Sequence, residues 1–393
     1  MNGGYLVAFV TSLLVTCALT PVVRAFAVRR GIVVDPDERK VHEHPTPNIG
    51  GLAMLAGVVA GVGAAWASGQ LGDVFATSTG VLGVLAGAIV VFVVGLLDEI
   101  RKVHGEGVSA PAKLAGMVLA GSILSFAGVS TVFFRVPFLG IFSLTPDLSA
   151  FVTVVWVVGM ANAINLIDGL DGLAAGVTAI AAGAFFLYGV RLDHVGVLPS
   201  GNIGPVLAVI TLGVCLGFLP WNFHPARIFM GDCGALLLGL LMAASTMAVG
   251  GSTDASYSGQ AFFFFAPLFI PLVILGVPIL DTLFAIVRRA TRGAGLATAD
   301  KEHLHHRLLR LGHGHRRSVV ILWTWTALLS GGVLLPTYTG RGDAVVPFGV
   351  LGLGLALFTV FHPGIRQARA NGEGGGEATA GSGAVRSASD HGG

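Results

Sequence analysis

The chain has 393 residues, of which 54% are apolar and only 11% charged, with a formal net charge of +2 at neutral pH. Soluble domains carry about a quarter charged residues, so this chain lacks the charge to coat a water-soluble surface of its size and reads as an integral membrane protein. The near-neutral balance also excludes a strongly basic nucleic-acid binder.

A helix crossing a hydrocarbon core of about 30 Å needs about 20 mostly apolar residues. In chain order that criterion selects residues 5–23, 49–67, 79–97, 112–127, 150–167, 173–190, 203–220, 234–250, 262–287, 318–336 and 345–361. The first run has no basic residue before it, as a cleavable signal would require, and reads as a retained span. The connection at 131–148 has short apolar runs around Pro137 and Gly140 and is expected to form an external hairpin. The end, from Asn371 onward, has eight Gly, four Ala and three Ser but no aromatic residue, too little to bury a core. The fold expected is therefore all-α and polytopic, with about 11 transmembrane helices in one domain at 1–365 and a disordered tail at 366–393. Cys17, Cys215 and Cys233 are too few and too scattered to build a disulfide framework.

Lys and Arg accumulate in cytoplasmic loops. The connections after odd-numbered spans, with the C-terminal tail, hold twenty of them; the other side holds Arg135, Arg191 and Arg341. This bias sets the N-terminus outside and the C-terminus in the cytosol, and it requires an odd number of spans.

Five polar stretches fall on the positive side. Arg39-Lys40-Val41-His42-Glu43-His44-Pro45-Thr46-Pro47-Asn48-Ile49-Gly50-Gly51 precedes the second span. Its basic residues suit a topogenic anchor, but Pro-x-Pro followed by Gly-Gly stiffens the approach and lets backbone amides come close to an anion. Next, Asp98-Glu99 ends the third span, with Arg101 and Lys102 after it and Lys113 at the foot of the fourth. A solvated helix end is the plain alternative, yet adjacent carboxylates at a membrane boundary repel unless a divalent cation or basic groups are near. The third stretch, Asn162-Ala163-Ile164-Asn165-Leu166-Ile167-Asp168-Gly169-Leu170-Asp171-Gly172, repeats a polar residue every third position within apolar sequence. Interhelical hydrogen bonding would explain one such amide but not two amides and two carboxyls. The fourth, Phe229-Met230-Gly231-Asp232-Cys233-Gly234-Ala235, sets a carboxylate between glycines at a helix start. Alone it reads as an N-cap; beside the other clusters Asp232 becomes a candidate metal ligand, and hard oxygen donors favour Mg²⁺ or Mn²⁺ over Zn²⁺. The last is His303-Leu304-His305-His306-Arg307 within a loop of basic residues. It lacks the HExxH of a zinc site and suits phosphate held by Arg, or lipid headgroups.

Together these stretches resemble the polyprenyl-phosphate N-acetylhexosamine-1-phosphate transferase family, glycosyl transferase family 4, over about residues 39–310. The interrupted His-Leu-His-His pattern is similar to the branch that uses UDP-N-acetylglucosamine, whereas the branch using UDP-MurNAc-pentapeptide usually has consecutive histidines. Two departures stand out: the usual Asp-Asp pair is Asp98-Glu99, and the usual Ser after Gly-Asp-x-Gly is Ala235. Glu99 keeps the charge on a longer arm, so more weight rests on Asp98.

The resemblance implies transfer of N-acetylglucosamine-1-phosphate from UDP-GlcNAc to a polyprenyl phosphate with release of UMP, at the cytosolic face of the cell membrane, initiating a lipid-linked envelope polysaccharide. It implies Asn165 and Asp232 as ligands of Mg²⁺ or Mn²⁺ and Asp98 as the acid that deprotonates or orients the lipid phosphate, with Glu99 beside it. Asp168 and Asp171 position the nucleotide or structure the loop, and His303, His305, His306 and Arg307 hold phosphate oxygens. Lys40 and Lys113 neutralise the second anion, with Asn48 and Asn162 completing the substrate set. A lipid phosphate is already largely dianionic at neutral pH, so direct attack is expected rather than a covalent aspartyl intermediate. Related enzymes are often dimers, and the resemblance extends that expectation here. Two rival functions are a phospho-MurNAc-pentapeptide transferase and a secondary transporter. Transporter sites sit near the bilayer midplane between repeats, and here no repeat is evident and the polar residues gather at helix ends.

Overall fold

The structure is a computed structural model that describes residues 3–34, 46–76, 79–136, 140–250 and 313–361, with Gly276, Ile279, Leu283, Leu308, Leu309 and Leu311 standing singly. Lys40, His303, His305, His306 and Arg307 lie outside the described residues, as do nearly all of the expected ninth span and the tail.

The chain opens with α1 (Gly3–Arg29), followed by β1 (Val33–Val34), β2 (Thr46–Pro47), α2 (Gly51–Ala67) and α3 (Gly72–Ala76). Then come α4 (Thr79–Val103), α5 (Ala110–Phe126), β3 (Phe133–Val136), β4 (Gly140–Ser143), α6 (Pro146–Ile167) and α7 (Leu173–His194). The series continues with α8 (Gly204–Asn222), α9 (Gly231–Gly250), α10 (Gly314–Thr339), a 3-10 turn at Gly342–Val345, and α11 (Val346–Phe361). Among the described residues, eight helical segments are long and apolar enough to cross a membrane. Of the other three expected spans, α2 and α5 are apolar helices of 17 residues, just under that length, and the ninth lies outside the described residues. The expected hairpin is present: β3 pairs antiparallel with β4, Phe133 opposite Ser143 and Val136 opposite Gly140.

One boundary differs in a way that matters. The sequence reading ends the third span at Leu97, but α4 runs on to Val103. Asp98 through Val103 contain no Gly or Pro, and Arg101 and Lys102 in the last turn favour the negative end of the helix dipole. Asp98, Glu99 and Lys102 therefore stand on helical spacing.

Close approach by small residues holds the helices together, because in lipid packing replaces the hydrophobic effect as the driving force. Ser12, Thr16 and Thr20 line one face of α1. Gly57 and Gly61 of α2 meet that face so tightly that an added Cβ would lie 2.0 Å from Thr16 Oγ1 and 2.1 Å from Ser12 Oγ. The hydroxyls bond within their own helix, Ser12 to the Ala8 carbonyl and Thr20 to that of Thr16, each at 2.6 Å. At the centre stands α9, packed by α4, α6 and α8 and buried along almost its whole length. By contrast α11 presents Val350, Leu351, Leu353 and Phe358 outward.

Candidate active site

The site is built around the first turn of α9. Gly231 enters it at φ +67°, and an added Cβ would lie 2.2 Å from the Asn48 carbonyl oxygen, so only glycine fits. A short backbone ladder fixes the entry: the Phe229 amide donates to the Pro47 carbonyl at 2.8 Å, Gly50 to Phe229 at 2.9 Å and Gly51 to Met230 at 3.0 Å. This corrects the expectation that Gly50 and Gly51 free their amides for an anion, since both amides are spent within the fold. What the glycines provide is proximity. A Cβ on Gly51 would lie 2.4 Å from the Gly234 nitrogen, and one on Gly95 would lie 2.5 Å from the Cys233 nitrogen and Cα. The turn carrying Asp232 is thus pressed between α2 and α4.

That placement brings three acids together. The candidate ligand oxygens of Asp98, Glu99 and Asp232 all lie within 4.8 Å of one another. Lys113, from α5, donates to Asp98 Oδ2 at 2.7 Å and Asp232 Oδ2 at 2.6 Å. Lys102 lies 2.6 Å from Asp98 Oδ2, 3.1 Å from Glu99 Oε1 and 3.5 Å from Asp232 Oδ1. The Val108 amide donates to Asp98 Oδ1 at 2.7 Å. Buried carboxylates without partners would cost several kcal/mol each, and the two ammonium groups offset this. The sequence reading left Lys102 out of the site, although its i+4 and i+3 offsets from Asp98 and Glu99 on one helix were a usable signal.

Glu99 has a distinct task. Its Oε1 accepts the Asp232 amide at 3.0 Å, and its carboxylate also accepts from the Asn48 side chain. It therefore satisfies a donor at the open end of α9 from a neighbouring helix, a reach that its extra methylene assists. Asn48 meets the site through Glu99.

The α6–α7 turn supplies the remaining residues. Asn165 lies in the last turn of α6 and Asp168 caps it. Burial, then the charges of Asp232, Glu99 and Asp171, push the Asp168 carboxyl up to about 8, which places it in the electrostatic reach of the first group. Asn162 turns its amide back onto the Val158 carbonyl at 2.7 Å and stands 3.5 Å from the Met117 sulfur. Asp171 is buried and faces His224 and the Ala226 amide at 2.7 and 3.0 Å. The structure thus joins Asp98, Glu99, Asp232 and Lys113 directly, brings in Asn48 through Glu99, sets Asp168 within electrostatic reach, and directs Asn162 and Asp171 to other partners.

Only oxygen acids make up the central group, so the donors suit a hard divalent cation such as Mg²⁺. Charge agrees: three carboxyls face two ammonium groups, and Asp168 would add a further negative charge once it loses its proton, an excess that one such ion offsets. Of the two causes that raise Asp168, burial and then the neighbouring charges, a cation would relieve the second.

The family model of glycosyl transferase family 4 matches residues 81–250, the stretch that carries Asp98, Asp168 and Asp232. The decaprenyl-phosphate N-acetylglucosaminephosphotransferase of Mycolicibacterium smegmatis is 38% identical over 350 residues, covering 86% of this chain and 84% of that protein. This chain belongs to glycosyl transferase family 4. Within the family it is also 38% identical, over 318 residues, to a probable undecaprenyl-phosphate N-acetylglucosaminyl 1-phosphate transferase of Bacillus subtilis, covering 81% of this chain and 80% of that one. A phospho-N-acetylmuramoyl-pentapeptide-transferase of Desulforudis audaxviator is 33% identical over 343 residues, 81% of this chain and 92% of the other. Among family 4 proteins the likeness therefore runs higher toward the N-acetylglucosamine enzymes.

Proposed function

We propose that this protein transfers N-acetylglucosamine-1-phosphate from UDP-N-acetylglucosamine to a polyprenyl phosphate, with UMP as the leaving group, and so starts a lipid-linked envelope polysaccharide. The observation that carries this reading is the group of Asp98, Glu99 and Asp232 held by Lys102 and Lys113 at the ends of membrane-crossing helices. The reacting bond runs from the sugar-bearing phosphorus of the nucleotide sugar to the oxygen that bridges its two phosphorus atoms. An oxygen of the lipid phosphate bonds to the phosphorus bearing the sugar, and the bridging oxygen leaves with UMP. The anomeric bond is untouched. Such a transfer needs alignment and neutralised charge more than covalent help.

The chain's own groups divide this work. Lys113 and Lys102 supply positive charge where two anions must approach each other. Asp98, fixed by the Val108 amide and both lysines, holds the two ammonium groups where they orient the acceptor phosphate, which is already largely dianionic. Asp232 and Asn165 are the proposed holders of Mg²⁺ or Mn²⁺, with Asp168 next to them; the ion would draw charge from the pyrophosphate. The site lies on the cytosolic face, supported by the twenty Lys and Arg assigned to that side, and water-soluble nucleotide sugar meets membrane-held acceptor there. His303, His305, His306 and Arg307 complete the phosphate-holding set in this reading.

The test is UMP release by the purified full chain in detergent with polyprenyl phosphate and Mg²⁺. Release is expected with UDP-N-acetylglucosamine and not with UDP-MurNAc-pentapeptide; the opposite preference would move the chain to the other branch. Direct attack further requires that labelled UMP not exchange into the nucleotide sugar when the lipid is omitted.

A pH dependence follows from Asp168. Below about pH 8 its carboxyl is protonated, and a cation entering the group must displace that proton. Apparent Mg²⁺ affinity is therefore expected to rise by up to about tenfold per pH unit from 6.5 toward 8 and then level off. Mg²⁺ titrations of turnover at pH 6.5, 7.5 and 8.5 check this, and a requirement independent of pH refutes it.

A further inference from the structure

A second polar group lies beside the first, and the transfer chemistry does not use it. His224 Nδ1 stands 2.7 Å from Asp171 Oδ2, and the Ala226 amide donates to the same oxygen at 3.0 Å. From α10, His315 Nε2 accepts the Asp171 amide at 2.9 Å. The two imidazoles are stacked, their centroids 4.3 Å apart. One residue on, the Gly172 amide donates to Asn222 Oδ1 at 3.1 Å, while Asn222 Nδ2 donates to the Ile228 carbonyl at 3.1 Å. Arg316 donates to the His224 carbonyl at 3.3 Å.

Asp171, His224 and His315 are close enough for their donor atoms to share a cation, but the geometry argues for another task. The lone pair on His315 Nε2 receives a backbone N–H, so it is not turned toward an ion. Stacked rings also direct their in-plane lone pairs along separate planes rather than to one point. What the group does is pin a turn. Three segments meet on Asp171: the α6–α7 turn, the α8–α9 loop and the start of α10. The same turn carries Asp168, whose carboxyl lies within electrostatic reach of Asp232 and Glu99.

We infer that His315, with His224 stacked on it, is a positioning residue: by accepting the Asp171 amide it holds the turn at residues 168–172 and so fixes Asp168 against the acid group. The inference rests on the transferase reading only for its kinetic consequence; the hydrogen bond itself is testable without turnover.

Three variants decide the matter: His315→Ala, His315→Gln and His224→Asn. The glutamine oxygen can replace Nε2 as acceptor, and the asparagine nitrogen can replace Nδ1 as donor. One hydrogen bond is worth about tenfold. Amide exchange at residues 168–172, followed by mass spectrometry on the full chain, is therefore expected to quicken about tenfold in His315→Ala and to stay near wild type in the other two. Turnover number is expected to fall about tenfold in His315→Ala, with the KM for UDP-N-acetylglucosamine within about threefold, and to recover to within about twofold in His315→Gln. Unchanged exchange in a folded His315→Ala protein, or a His315→Gln protein as impaired as the alanine variant, overturns the inference. If His315→Ala does not fold, the glutamine variant decides alone: wild-type exchange and rate support the role, and a folded but slow protein refutes it. A wild-type chain inert toward UDP-N-acetylglucosamine would instead sink the transferase reading and leave the exchange result standing.

Discussion

Asp232→Ala is expected to lower turnover by about a thousandfold or more while the protein still folds and inserts. Asp232 is the point where the structure's charges meet: Lys113 binds one of its oxygens at 2.6 Å, Lys102 lies 3.5 Å from the other, and its amide is capped by Glu99. Removing the carboxylate leaves Lys113 with Asp98 alone and takes away the proposed cation holder on α9. Excess Mg²⁺ should not restore the rate, because Lys113 and Lys102 also lose a carboxylate that holds them. Asp193→Asn, near the opposite end of α7, serves as the matched control and is expected to keep full activity. Initial rates of UMP release at saturating substrates are the measurement. An Asp232→Ala protein within tenfold of wild type would falsify the proposed role of this residue.

The second large effect needs no change in charge. Gly51→Ala adds one methyl group where the nearest atoms are the Gly234 nitrogen at 2.4 Å, Cys233 Sγ at 2.7 Å and the Cys233 carbonyl carbon at 2.8 Å. Two of these belong to the backbone, so no flexible side chain can step aside. Either α2 retreats from α9, breaking the Gly51 bond to Met230, or the first turn of α9 shifts and carries Asp232 with it. Overpacking of this kind costs about 1–3 kcal/mol, and misplacement of a reacting group by about 1 Å costs about a hundredfold. The variant is therefore expected to melt several degrees lower in detergent, by about 2–4 °C per kcal/mol for a large chain, and to lose about a hundredfold in turnover. Gly63, where an added Cβ meets nothing within 4 Å, is the control site on the same helix. A Gly51→Ala chain with wild-type melting and rate would show that the approach of α2 to α9 is looser than these distances.

Much of this arrangement was legible beforehand, and the gaps have physical causes. Hydropathy locates the helices because each must satisfy its own backbone in lipid, so spans announce themselves locally. The same locality hides what happens between helices. Asp98, Glu99, Lys113 and Asp232 stand out as polar residues in apolar surroundings, and the structure joins them. Lys102 was passed over because a basic residue after a span reads as a topogenic anchor; only the continuation of α4 to Val103 turns it inward. Gly50 and Gly51 were legible as a tight approach, but the partner that takes their amides, the 229–230 carbonyls, lies almost 180 residues away. Asn162 follows the three-residue polar rhythm yet bonds to its own helix, since period alone does not set which way a side chain turns. His224 and His315 belong to no motif in the sequence and gain meaning only when Asp171 comes between them. The departure of Glu99 from the usual Asp is explained after the fact, because it reaches the amide at the start of another helix.

The burial of α9 has a consequence for the shape of the substrate. Among the described residues, a rod enclosed by its neighbours leaves no corridor along its length, so a polyprenyl chain longer, when extended, than the membrane core is thick would rest against the outside of these helices while only its anionic head is drawn in. No described residue would then measure that chain. Acceptors of differing isoprenoid length would offer the enzyme the same head at the same depth, and selection for length would fall to whatever makes the lipid.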